Sequence, residues 1–288
     1  MEQEKIIYFY SLTGHDGQPK GICAAKRFWF QDASLGTGLF DDGAIQVVGC
    51  AIPPFYYRRR SWKPQMLSEA MENVLRRVES MTESLTDTWL QPQIEAVLTE
   101  EYSRRFCPRE DTVRAVTRRL VDRYAGEMIR ESGEASVLLG EPADTDRQME
   151  MTRELLRPYL SRINRLLIFY EEMAETDIWM ELGSHLDEYY YEYGLVPQLE
   201  PYGNSRGGTQ ESGDTANLRC GRHTCRGLVL DYSAQFRYPK ILPESDTVYI
   251  DVASGMEKER QLRRKTPRIP YISPLKYLDT MVKNGYDG

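Results

Sequence analysis

Residues 163–202, INRLLIFYEEMAETDIWMELGSHLDEYYYEYGLVPQLEPY, read as a strand, a helix and a second strand. The apolar run Leu166 to Tyr170 stops at Glu171 and Glu172, and Trp179, Leu182, Leu186, Tyr189 and Tyr193 then recur at three- and four-residue spacing, the period of one helix face. Gly194 follows the last periodic residue and takes the left-handed conformation that ends a helix, with apolar Leu195 beside it for the capping contact. A strand, a helix and a strand in that order form one crossover of a parallel sheet.

The same alternation extends on both sides. Ala135 to Leu139 is a short apolar strand, residues 145–161 are helical, and Leu228 to Tyr232 and Val248 to Val252 are further strands. Residues 133–288 therefore form an α/β section with a Rossmann-like, mostly parallel sheet. It contains a long polar loop at 203–219, which the composition marks as mobile, a basic segment at 257–268, and a final helix begun by Pro274. Residues 1–64 are β-rich, with strands at Ile6 to Leu12, Cys23 to Phe30 and Ala44 to Ile52, the last closed by Pro53 and Pro54. Residues 65–132 read as a helical insertion, with helices near 66–81, 88–106 and 110–131 and no strand between them. In the third, Val113, Val116, Leu120, Tyr124 and Met128 make the apolar stripe.

Composition bounds the function classes. With 288 residues and 41% hydrophobic content the chain has the material for a sizeable core. Lys and Arg number 37 against 44 Asp and Glu, a formal net charge of -7, so the molecule as a whole repels polyanions and any nucleic-acid contact falls to a local patch. No run reaches membrane-spanning length, the N-terminus lacks a signal-peptide pattern, and five cysteines in so long a chain do not form a disulfide framework. These features point to the cytoplasm and away from a membrane.

Acids stand where strands end: Glu171 after LLIFY, Asp231 in LVLDYS and Asp251 in VYIDVAS. In open parallel sheets ligands bind beyond the carboxyl ends of the strands, so Glu171, Asp231 and Asp251 are candidate ligands for Mg²⁺ or Mn²⁺, hard cations that take oxygen donors. The bland reading is that each acid only marks the end of an apolar run. Cys220-Gly-Arg-His223-Thr-Cys225 places two thiols and an imidazole close together, yet structural zinc takes four ligands and only two other histidines exist, so free cysteines beside a loop are the simpler reading. The turn at Gly14 to Gly21 lacks every phosphate-loop signature. His185 reads as a structural histidine beside the apolar stripe.

Two basic segments interrupt the acidic background. Arg58, Arg59, Arg60 and Lys63 alternate with aromatic residues, and Lys258, Arg260, Arg263, Arg264, Lys265 and Arg268 cluster near the C-terminus. Both are candidates for phosphate or nucleic-acid contact, set against the plainer reading of solvated charge. With no serine elbow, Walker motif, dinucleotide fingerprint, kinase signature or HExxH in the chain, the leading expectation is a binding or regulatory protein acting on a protein partner or other ligand. Two alternatives stand beside it: a divalent-metal-dependent phosphoesterase or nuclease built on the strand-end carboxylates, and a nucleic-acid-binding protein using the basic segments.

Overall fold

The computed structural model describes residues 4–11, 36–41, 45–52, 64–81, 86–96, 98–170, 175–202, 223–234, 241–254 and 256–284. The chain divides into two compact units: residues 1–116 with 275–288, and residues 117–274.

In the first unit, β1 (Glu4–Ser11), β2 (Gly36–Asp41), β3 (Ile45–Ile52) and β4 (Thr86–Leu90) form a sheet in the order β2-β3-β1-β4. β1 pairs parallel with both β3 and β4, while β2 runs antiparallel to β3. Helix α1 (Pro64–Met81) crosses from β3 to β4 and buries Leu67, Met71, Val74 and Val78 against Ile7, Phe9, Cys50 and Ile52. That i, i+4, i+7, i+11 stripe is the helical period meeting a strand's alternate residues. Within the span that reads as helical in sequence, β4 is an added strand, followed by α2 (Pro92–Glu95) and α3 (Glu100–Arg105) instead of one helix over 88–106. Its five residues, TDTWL, are too few for periodicity to separate a strand from a helical turn, and pairing with β1 decides the matter.

Helix α4 (Glu110–Ser132) contains the division between the units. In its second-unit part Thr117, Leu120, Val121, Ala125 and Ile129 are buried, whereas Tyr124 is exposed. The buried stripe lies one residue round from the one drawn through Tyr124 and Met128, because it recruits small Thr117 and Ala125 in place of the larger apolar side chains. Gly133, at φ 65, then turns the chain into the next strand.

The second unit holds a parallel sheet of β5 (Glu134–Leu138), β6 (Arg165–Tyr170), β7 (Gln198–Pro201), β8 (His223–Asp231), β9 (Ile241–Asp251) and β10 (Tyr271–Ile272). Every pairing is parallel, and the order is β10-β9-β8-β5-β6-β7. Numbered from β5, this is the reverse of 3-2-1-4-5-6, the doubly wound Rossmann arrangement read from its other edge. Helix α5 (Thr145–Leu156) joins β5 to β6, α6 (Glu175–Tyr193) joins β6 to β7, and α7 (Met256–Lys265) joins β9 to β10. Consecutive residues of β5 and β6 are buried, as a sheet covered on both faces requires. Leu138, Leu167, Phe169, Val229, Tyr249 and Tyr271 share one face with Leu262 of α7.

The strand, helix and strand of 163–202 are present as β6, α6 and β7, with β6 and β7 paired directly. Leu182, Leu186 and Tyr189 are buried, and Gly194, at φ 65, lets its own amide and that of Leu195 reach back to the carbonyls of Tyr190 and Tyr189. Helix α8 (Pro274–Asn284) starts at the proline, as expected. In the first unit its Asp279 accepts a hydrogen bond from Tyr8 (2.5 Å) and one from Gln91 (3.3 Å).

Candidate functional site

The carboxyl ends of β8 and β9 lie side by side, because the parallel register sets Asp231 opposite Asp251. Two like charges on neighbouring strands repel, and both residues are 0% exposed, so neither is relieved by water. Lys258, in the first turns of α7 and 1% exposed, provides the opposing charge. Its Nζ donates to Asp251 Oδ1 (2.5 Å), lies 2.9 Å from Asp231 Oδ2, and donates to the Ser233 carbonyl (2.7 Å). Asp231 also accepts from the Ser233 amide (2.8 Å), the Ser233 hydroxyl (2.6 Å) and the Tyr249 hydroxyl, while Asp251 accepts from Tyr271 (2.5 Å). The result is a buried polar network whose members come from β8, β9, β10, α7 and the turn after β8.

Its electrostatics follow from burial. Desolvation pushes the Asp251 carboxyl up; the neighbouring Asp231 adds to that, and the ammonium of Lys258 opposes it. Burial and the two aspartates hold the Tyr249 phenol well above its ordinary value, and burial with Asp251 does the same for Tyr271. Both phenols therefore stay neutral and serve as donors.

Of the strand-end acids singled out by sequence, Asp231 and Asp251 are brought together, and the cation between them is Lys258; Glu171 lies outside the described residues. Among the described residues no group of three or more His, Cys, Asp or Glu side chains is arranged to hold a metal ion. Lys258, grouped in sequence with the surface cations of 257–268, is instead a core residue. Its signal was present in the spacing: Leu262, four residues on, belongs to the apolar cluster, and positions four apart share a helix face. Arg263, Arg264 and Lys265 are exposed on α7, with Arg263 held by Glu259 at 2.7 Å. Arg58, Arg59, Arg60 and Lys63 lie outside the described residues, as do the loop 203–219, the strand expected at 23–30 and Cys220. Cys225 is a buried cysteine within the apolar cluster of the sheet.

A second arrangement lies where the strand order reverses, between β5 and β8. The chain leaves β5 through Leu139, Gly140 and Glu141, passes a single 3-10 turn at Pro142–Asp144, and enters α5. The Gly140 amide donates to Gln148 Oε1 (2.7 Å), and a Cβ on Gly140 would fall 2.8 Å from the Tyr232 carbonyl and 2.9 Å from Gln148 Nε2. Only glycine fits so close an approach of backbone to backbone. The Tyr202 hydroxyl donates to the Leu139 carbonyl (2.7 Å), and Thr152 Oγ1 donates to the Tyr232 hydroxyl (3.1 Å). Glu141 and Asp146 are exposed beside this turn. On α6, His185 Nε2 is 3.2 Å from an Asp146 carboxylate oxygen, and Arg153 pairs with Glu188.

Fold and geometry together define a Rossmann-like α/β protein with a fully parallel second-unit sheet. No family model, no curated protein and no solved structure matches the chain. Among the described residues no helix is long and apolar enough to cross a membrane.

Proposed function

We propose that the chain is a binding protein whose second unit takes a small ligand at the carboxyl edge of the parallel sheet, beside the turn 139–144. The observation that carries this reading is the reversal of strand order between β5 and β8. Connections on the two sides of such a reversal leave in opposite directions, so a crevice opens there at the strand ends, and open α/β sheets bind their ligands in it. The close approach of Gly140 to Tyr232 brings the two strand ends together at that point.

The charge of the turn narrows the ligand. In phosphate-binding folds the turn after the first strand offers free amides and a helix N-terminus to an anion. Here the Gly140 amide already donates to Gln148, and of the acids in the turn and first helical residues Asp144 pairs with Arg147 (3.8 Å) and Asp146 meets His185 (3.2 Å), so the exposed Glu141 sets the charge that faces a ligand. Carboxylates at that place repel phosphate and favour hydroxyl groups or cations. The ligand class is therefore uncharged or cationic, of nucleoside or polyamine type.

A thermal-shift comparison on the full chain tests this. Adenosine, spermidine, NAD⁺ and ATP would each be titrated against the protein and against Glu141→Lys, an exposed substitution. A ligand at a hundredfold its dissociation constant adds about 2.7 kcal/mol to the folded state. The expected result is stabilisation by adenosine or spermidine, weakened in the variant. Stabilisation by ATP alone, or no response to any of the four, would overturn the proposal.

A further inference from the structure

Lys258 is the second residue after the start of α7, and α7 joins β9 to the edge strand β10. The helix meets the rest of the unit in two ways. Leu262 packs with Val229, Tyr249 and Tyr271, and one turn earlier Lys258 enters the polar network at the strand ends. The apolar contact is non-directional and tolerates a small shift of the helix. The polar contact does not, because the ammonium sits between two carboxylates and a carbonyl at 2.5 to 2.9 Å.

Any opening of α7 is thus linked to one charge. If the helix lifts, the ammonium leaves with it, and Asp231 and Asp251 remain opposite each other on paired strands. Their hydroxyl donors, Ser233, Tyr249 and Tyr271, stay with the strands and the turn after β8. Removing one partner from a buried ion pair leaves an uncompensated charge, whereas removing every charge together costs far less. We propose that α7 is a strap over the face of β8, β9 and β10, with Lys258 at its first turn as the charged pin that holds it shut at the strand ends. This device lies on the β8–β10 side of the sheet and does not depend on ligand binding between β5 and β8.

Hydrogen exchange on the full chain reads it directly. In Lys258→Met the α7 amides are expected to exchange about a hundredfold or more faster, the order of loss that breaking a buried pair produces, and to be accelerated more than those of β5 and β6. In the triple variant Asp231→Asn, Asp251→Asn, Lys258→Met, which has no charge left to pin, α7 returns to near its wild-type rate. Unchanged α7 exchange in Lys258→Met would overturn the proposal, as would a triple variant in which α7 stays as fast as in the single one. Should Lys258→Met fail to fold, the triple variant decides: a folded protein with a protected α7 supports the pin, and an unfolded or unprotected one refutes it.

Discussion

A carboxyl group buried as deeply as Asp251 is pulled in two directions. Loss of water and the charge of Asp231 favour its neutral form, and Lys258 favours its charged form; burial is the largest of these and holds the group above the ordinary carboxylate range. The folded state therefore keeps a proton that the unfolded chain, with a carboxyl near 3.9, gives up sooner. The stability tied to this proton is full at pH below the unfolded value and is lost as pH rises through the raised folded value. Denaturation midpoints measured across that interval should fall with rising pH from this group, and Asp251→Asn, which has nothing to titrate, should remove that part of the slope. An unaltered slope in the variant would show that the Asp251 carboxyl is not held above its ordinary range. Tyr189 offers a different residue-level test. Its hydroxyl is buried and, among the described residues, meets no hydrogen-bond partner. A buried polar group without a partner costs about 1–3 kcal/mol. Tyr189→Phe should thus leave the melting temperature unchanged or raise it, and a clear fall would mean that the hydroxyl is satisfied.

At the scale of elements, two left-handed glycines separate strain from crowding. Gly194 closes α6 at φ 65 with nothing within 4 Å of an added Cβ, so Gly194→Ala carries backbone strain alone, about 1 kcal/mol. Gly227 lies in the bulge of β8 at φ 68, and there a Cβ would fall 2.2 Å from the Glu134 carbonyl oxygen and 2.3 Å from Ser132 Oγ. Gly227→Ala should cost several times more than Gly194→Ala in urea denaturation, because it forces β5 and β8 apart; equal costs would mean that the bulge relaxes. The first of these glycines is legible in sequence, since it follows a periodic helix. The second is not, because nothing local announces that another strand's backbone will pass so near. The same distinction explains β4 and the stripe of α4. Helices α1 and α6 have large apolar residues in register and are read easily, whereas five residues of TDTWL become a strand only through β1.

Over the whole molecule, the Rossmann-like class follows from alternation along residues 133–288, but the order β10-β9-β8-β5-β6-β7 does not, since strand order is a property of pairing between distant segments. The candidate site shows the same limit. Asp231 and Asp251 are visible as strand-end acids, and their juxtaposition depends on β8 and β9 being neighbours. Lys258 stayed hidden because charge composition assigns it to the surface, although its place on the face of Leu262 makes it part of the interior. Tyr249 reads as an ordinary strand residue, and Tyr271 falls in no element expected from sequence, until their hydroxyl groups are seen on the two carboxylates.

The parallel sheet also ends in a telling way on both sides. β10 has two residues, and β7 has four and closes on Pro201. A strand of that length offers few unpaired amides and carbonyls to a passing chain, and proline removes one of the donors. In the strand order β5, β6, β8 and β9 are interior, although among the described residues β10 covers only Tyr249 and Ile250 of β9. The same strand order that places the proposed ligand crevice between β5 and β8 thereby blunts the β7 edge and the carboxyl end of the β9 edge against pairing with another sheet.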